Sequence, residues 1–229
     1  MSENITGKYF KYAIGEIALV VIGILIALQI NNWNESRKDQ AQELNYLTGI
    51  KTDLEGDLAK IKLALHRYRR KLSRIYFLDS TFRLPNNLIP IKNTIDSIDV
   101  GNMVNRGAGF RLTMGSYKVL TSNASAGLIK NEYLLQSIQN LYETRKPMLA
   151  SVYDDIKRRQ DYIGQKYAVE NKYSSAKAFF IDNPDKKEVL ADFEYYYTQL
   201  RLYYNGLRNT KNLMQKVIED IDKELNART

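Results

Sequence analysis

The 229-residue chain has no cysteine, one histidine, one tryptophan and four prolines. Without cysteine there is no disulfide, no thiol to acylate as in a lipoprotein, and no thiolate for a metal. The absence leaves the compartment open, because a helical bundle needs no disulfide staple. His66, the single histidine, cannot by itself furnish the several nitrogen or sulfur ligands of a zinc site. Counting alone would allow it a place in a Ser-His-Asp triad, but no strand-turn-helix context surrounds a serine. Gly107-Ala108-Gly109 lacks the preceding strand and the lysine of a phosphate-cradling loop. Few prolines and only twelve glycines leave long stretches without a breaker, and no period-two alternation of useful length occurs. The expected class is therefore all-α, with no catalytic residue, cofactor or metal ligand assigned and no enzyme implied.

What the sequence does have is one long apolar run, Ala13 to Ile30, AIGEIALVVIGILIALQI, with a single carboxylate. Eighteen residues at 1.5 Å each give about 27 Å, close to the ~30 Å of a hydrocarbon core. Tyr9, Phe10 and Tyr12 lie before it and Trp33 after it, where amphipathic rings favour the headgroup level. A cleavable signal would have a shorter core and a small-residue cleavage site, which Gln29-Ile30-Asn31-Asn32-Trp33 does not offer. The run is read as a transmembrane helix at 13–30 behind a cytoplasmic segment 1–12. Lys8, Lys11 and the terminal amine face Arg37 and Lys38 across it, so the amino end is placed inside by the amine alone. The expected location is the inner (cytoplasmic) membrane, single-pass, with the carboxyl-terminal domain in the periplasm.

After the anchor a heptad rhythm begins. Leu44, Leu47, Lys51, Leu54, Leu58, Ile61, Leu65, Tyr68, Leu72 and Ile75 alternate by three and four, an a/d seam broken only by Lys51. The spacing predicts a long helix at about 36–79, able to run straight on from the anchor unless Asn31-Asn32-Trp33-Asn34 breaks it. Pro85 and Pro90 mark a turn-rich connection, Ile91 to Phe110 is irregular, and a short helix is expected at about Leu112 to Ser122. A second run at about 131–173 contains Pro147, which predicts a kink or break near Arg145. A third, at about 186–225, follows the start signal Asp182-Asn183-Pro184-Asp185. Three such helices argue for an antiparallel helical bundle or coiled coil occupying 31–229.

Three groups stand out as candidate sites. Glu16 is an ionisable residue in the first turn of the anchor, which reads as an interfacial carboxylate, an inter-helix hydrogen bond or an ion relay. Gly23 and Ala27 form a small-xxx-small pair, and Glu16, Gly23 and Trp33 extend the rod's seam backwards, so a self-associating anchor follows. Arg67, Arg69, Arg70, Lys71 and Arg74 form the densest basic cluster, a solvated rod tip or an anion-binding face about 54 Å beyond Ile30. Of 17 tyrosines, Tyr195, Tyr196, Tyr197, Tyr203 and Tyr204 crowd the last helix, as a thick, partly wet core or as a stacking platform for a sugar or base. The net charge of +8 suits acidic partners but is spread along the chain, which speaks against nucleic acid.

The run from Lys8 to Glu35, followed by Leu44, Tyr46, Leu47 and Asp53-Leu54-x-x-Asp57, resembles an uncharacterised family of single-pass membrane proteins of Bacteroidota. Tyr117 to Asn131, YKVLTSNASAGLIKN, is similar to the same family. The resemblance implies a single-pass envelope protein and brings no activity or ligand. From the residues, the expectation is a membrane-anchored helical scaffold or adaptor that self-associates through anchor and rod. Its partners would be the lipid bilayer, further copies of itself and a protein of the envelope. The alternatives are an extracytoplasmic ligand-binding or sensory bundle acting through a partner, and an ion-pathway subunit using Glu16.

Overall fold

A computed structural model of the chain describes residues 5–82, 104, 107, 109–122, 125–167 and 186–227, with side chains from 14 to 76 in the first stretch and from 187 in the last. Among the described residues there are helices and no strand, so the all-α expectation holds. Helix α1 runs unbroken over Ile5–Phe82, 78 residues or about 117 Å. The asparagine cluster does not interrupt it. Asn31 turns its amide outward and donates to Glu35 Oε1 one turn on, at 3.2 Å, instead of competing for backbone.

This one helix has two regimes. From Ile14 to Gln42 every side chain is exposed, and the whole apolar run is bare of protein contact. By length and composition it is able to cross a membrane. From Glu43 onward, burial recurs every three or four residues through Leu47, Ile50, Leu54, Asp57, Ile61, Ala64 and Tyr68, and again at Ile75. Half of the expected seam is therefore central. Its other half, Leu44, Lys51, Leu58, Leu65 and Leu72, is only half-buried, displaced by one residue in favour of Glu43, Ile50, Asp57 and Ala64. Hydrophobicity does not flag two acids and an alanine, yet they face a stretch of backbone that needs close approach and hydrogen-bond acceptors.

The remaining elements are α2 (Gly115–Ser122), a 3₁₀ turn (Ser125–Leu128), α3 (Glu132–Gln139), a π turn (Asn140–Arg145), α4 (Lys146–Tyr167) and α5 (Lys186–Asn226). Asn131 caps α3, its side chain accepting from the Leu134 N–H at 3.1 Å. The second expected helix is thus α3 and α4 joined through a π turn, where the Lys146 N–H reaches back to the Leu141 carbonyl. Pro147 lacks the N–H of a normal turn, so the chain widens instead of breaking. The extra residue also resets the phase. Leu134 and Leu141 form one buried series, and Tyr142, Leu149, Ile156 and Ile163 the next, each at a spacing of seven but offset by one, with the change of phase inside the turn. The portion of that run at 168–173 lies outside the described residues, as do the start signal before α5 and most of the connection at 83–106.

Helix α5 descends antiparallel to α1: Lys51 meets Asp222 and, seventeen residues further along, Tyr68 meets Tyr203 with ring centroids 4.8 Å apart. It is also antiparallel to α3–α4, where Asn131 donates to Glu224 and Gln160 to Tyr196. Helices α1 and α4 consequently run parallel to one another, which obliges the chain to return along the bundle between them. Residues 107–131, here called the strap, make that descent: Gly107 lies beside Lys71, Thr113 at Asp57, Ser116 at Asp53 and Lys130 at Glu43. At one step the approach is close enough to require glycine. A Cβ on Gly49 would come within 2.8 Å of Ser116 Oγ and 3.2 Å of its Cβ.

Candidate functional site

Three carboxylates of α1 hold the strap by its backbone. Glu43 Oε1 accepts from the Lys130 N–H at 2.8 Å, and Asp53 Oδ2 from the Ser116 N–H at 2.9 Å. Asp57 Oδ2 accepts from the Thr113 N–H at 2.6 Å, while its Oδ1 takes Thr113 Oγ1 at 2.8 Å and Lys60 Nζ at 2.9 Å. Glu43 and Asp57 are almost wholly buried. A buried carboxylate is tolerable only when hydrogen-bonded, and here the irregular backbone of the strap supplies the donors. Asp53 and Asp57 were visible in the sequence as a spaced acidic pair. That they act on amides more than fifty residues away was not.

The tyrosines complete the fastening. Tyr203 accepts from the Phe110 N–H at 2.9 Å, Tyr153 donates to the Gly107 carbonyl, and Tyr117 stacks on Tyr142 at 4.3 Å while donating to Glu143. Burial pushes the Tyr203 phenol up to about 12 and raises Tyr68 and Tyr196 further, so these groups are neutral spacers and not acids or bases. Of the crowded tyrosines on α5, Tyr196 and Tyr203 are core, and their hydroxyls find protein partners instead of solvent. The ring of Tyr195, half exposed, is covered by the Arg159 guanidinium at 5.0 Å. That arginine belongs to a cluster joining α4 to α5: Arg159, Lys166 at 2.7 Å and Tyr167 at 2.9 Å all reach Asp192. Burial would raise the Asp192 carboxyl, but the hydrogen bonds from Lys166 and Tyr167 and the charge of Arg159 outweigh it and hold it low. Its contribution is present above the ordinary carboxylate pKa and is lost as pH falls through the depressed value.

Above the region where the strap fills the space between α1 and α4, the two helices leave a groove of about 900 Å³. Lys60, Ala64 and Arg67 line it from α1, Gly109 to Leu112 from the strap, and Lys146, Ala150, Tyr153, Asp154 and Lys157 from α4. Five of the lining residues are cationic and one is acidic. The Tyr153 ring shapes one wall and is wedged against the strap. A Cβ on Gly109 would meet it at 2.8 Å.

The expected basic cluster is divided around α1. Arg67 faces this groove, Arg69 and Arg70 are exposed, and Lys71 and Arg74 are half-buried. Burial pushes the Lys71 amine down to about 8, helped by the charges of Arg67 and Arg74. Since the folded state binds this proton less tightly than the unfolded chain, Lys71 opposes folding below about pH 8, and the penalty fades as pH rises toward the ordinary lysine range. Reductive ¹³C-methylation should reveal one lysine resonance titrating near 8 and missing from Lys71→Arg. Titration of every lysine above about 10 would mean that this amine is solvated. Glu16, Gly23, Ala27 and Trp33 all lie exposed on the anchor; Glu16 has no bond to another described residue, and Trp33 carries the Arg37 guanidinium 5.9 Å from its ring. Among the described residues no cluster of metal-ligating side chains occurs.

Fold and site together define an all-α bundle borne on a long apolar amino-terminal helix, its returning strap fastened by carboxylates. The chain belongs to DUF6090, a family of unknown function, which it matches over residues 16–155. That span takes in most of the apolar run, the rod, all three carboxylates, the strap and most of the groove. No curated protein and no solved structure matches the chain.

Proposed function

We propose that this protein is a non-enzymatic, single-pass membrane scaffold or adaptor that associates with copies of itself through its anchor. The bundle would lie on the periplasmic side of the inner membrane, where it would meet a protein partner of the envelope. One observation carries the reading: the rod's seam is covered within the same chain, whereas residues 14–42 are all exposed and pack against no other element among the described residues. An exposed apolar stretch of this size needs lipid, and a small-residue face along it needs another helix. Self-association is therefore assigned to the anchor and to the exposed neck at 31–42 more than to the rod. The absence of cysteine makes the test direct. Single cysteines at Ser36 and Gln40, both exposed, should form disulfide dimers in membranes, with yields that follow a helical period. Failure to crosslink at any neck position, with monomers over a wide concentration range in detergent, would overturn the reading. Leu47 and Leu54 are unsuitable sites, being fully buried in the bundle.

Glu16 refines this picture. Glu16→Gln should leave the oligomer assembled, because the amide keeps size and hydrogen bonding, whereas Glu16→Leu should loosen it by about 0.6–2 kcal/mol per contact. Sedimentation equilibrium in detergent reads both. No ionisable group lies between Ile17 and Ile30 to pass a proton onward, which disfavours a relay. A loss of pH-dependent ion flux in vesicles on Glu16→Gln, with assembly preserved, would instead establish one. A second reading, a ligand-binding bundle, is favoured by the cationic groove alone.

A further inference from the structure

The groove between α1 and α4 has one-sided chemistry. Lys60 is compensated, since its ammonium lies 2.9 Å from Asp57. Arg67, Arg111, Lys146 and Lys157 make no ion pair with a described residue, and the only carboxylate on the wall is Asp154. Arg67, Arg111 and Lys157 are exposed and Lys146 is half-buried, so four cationic groups with no ion pair among the described residues border one space open to solvent, which favours an anion there. Small residues line it on both helices, Ala64 on α1 and Ala150 on α4. Its inner surface is apolar, formed by Phe110, Leu112 and the Tyr153 ring. The Tyr153 hydroxyl is tied to the Gly107 carbonyl, so this wall is fixed before anything binds. A volume of about 900 Å³ falls at the upper end of small-molecule sites.

We propose that this groove binds an organic anion carrying two or more spaced carboxylate or phosphate groups, its frame lying on Tyr153 and Phe110 and its charges taken by Arg67, Arg111, Lys146 and Lys157. Arg67 and Arg111 offer planar forks suited to bidentate contact with an oxyanion, and the two lysines act as point charges. Lys60 lies at least thirty residues along α1 from Ile30, about 45 Å, which places the groove away from the headgroups of the anchor's own bilayer. The ligand is therefore a free or polymer-borne anion and not a lipid of that membrane. This inference goes beyond the scaffold reading and fails separately from it, since crosslinking of the neck tests one and titration of the groove tests the other.

Calorimetric titration of the full chain in a non-ionic detergent, at about 0.15 M salt, tests it with two probes. Inositol hexakisphosphate presents compact phosphates, and tetragalacturonic acid presents carboxylates spaced along a glycan. Saturable one-to-one binding of either supports the proposal, and the preferred probe identifies the oxyanion. Arg111→Glu combined with Lys157→Glu should weaken that binding by about tenfold or more. Arg69→Glu combined with Arg70→Glu makes the same change of net charge outside the groove and should alter it less than about twofold. Ala150→Trp leaves every charge in place and narrows the groove, so it should weaken binding while the helical signal and unfolding midpoint are retained. No saturable binding of either probe, equal weakening by the two double variants, or undiminished binding by Ala150→Trp would each overturn the proposal.

Discussion

Asp57→Ala should lower the stability of the bundle by about 2–4 kcal/mol, because two donors of Thr113 lose their acceptor inside the fold. Making these hydrogen bonds gains little over water, whereas leaving the half-buried Thr113 N–H and hydroxyl proton without this acceptor costs much of the desolvation of each, the hydroxyl oxygen keeping only Lys60 Nζ at 3.3 Å. Asp57→Asn keeps one carbonyl oxygen for the Thr113 N–H and should lose about half as much. Lys60→Met is the useful contrast. Its ammonium is largely exposed, so removing it should change stability by about 0.5 kcal/mol or less even though it contacts the same carboxylate. Urea unfolding of the full chain, followed by helical circular dichroism, measures all three. A loss below about 0.5 kcal/mol for Asp57→Ala would mean that water replaces the carboxylate and that the strap is not fastened there.

Tyr203→Ala should cost about 3–5 kcal/mol, the range for removing a large ring from a core. This side chain touches α1, α4 and the strap at once. Its ring lies edge-on to Tyr68 of α1 at 4.8 Å and 5.7 Å from Tyr153 of α4, and its hydroxyl takes the Phe110 N–H of the strap. Tyr203→Phe separates the two roles, leaving the ring in place and orphaning the amide, for about 1–3 kcal/mol. Tyr133, 85% exposed, should tolerate alanine within about 0.5 kcal/mol. The same unfolding measurement checks the series, and equal losses at Tyr203 and Tyr133 would contradict the described core. Loss of Tyr203 should also slacken the groove wall, since Tyr153 leans on it.

The long helices were legible in the sequence because apolar side chains at a spacing of three and four announce a buried face wherever that face is apolar. Leu47, Leu54, Ile61 and Tyr68 were found in this way. The failures share one cause. On α1 the missed positions include Glu43, Asp57 and Ala64, and on α5 they include Thr210, residues whose burial follows from what faces them and not from their own hydropathy. Tyr196 and Tyr203 were noticed as tyrosines but not told apart from Tyr195, Tyr197 and Tyr204 beside them, since adjacent rings of one type give no phase. Pro147 announced an irregularity correctly, yet a proline does not say whether a helix will break or widen. The groove was illegible for a different reason. Arg67, Arg111 and Lys157 are far apart in sequence, and only the parallel course of α1 and α4, with the strap between, brings them to one cavity. Arg67 alone was among the expected anion-binding residues.

The unbroken course of α1 has a geometric consequence. Each residue of a helix turns the chain by about 100° and advances it 1.5 Å, so the number of residues between Ile30 and Glu43 fixes the heading of the bundle relative to the anchor. Inserting one alanine in that interval would swing the groove a little over a quarter of a circle about the rod while displacing it by only about 1.5 Å. Inserting seven would restore the heading to within about 20° and carry the bundle some 10 Å farther out. Compass bearing and altitude are thus independently adjustable by chain length alone. If copies pair through their anchors, that interval decides whether their grooves look toward one another or apart.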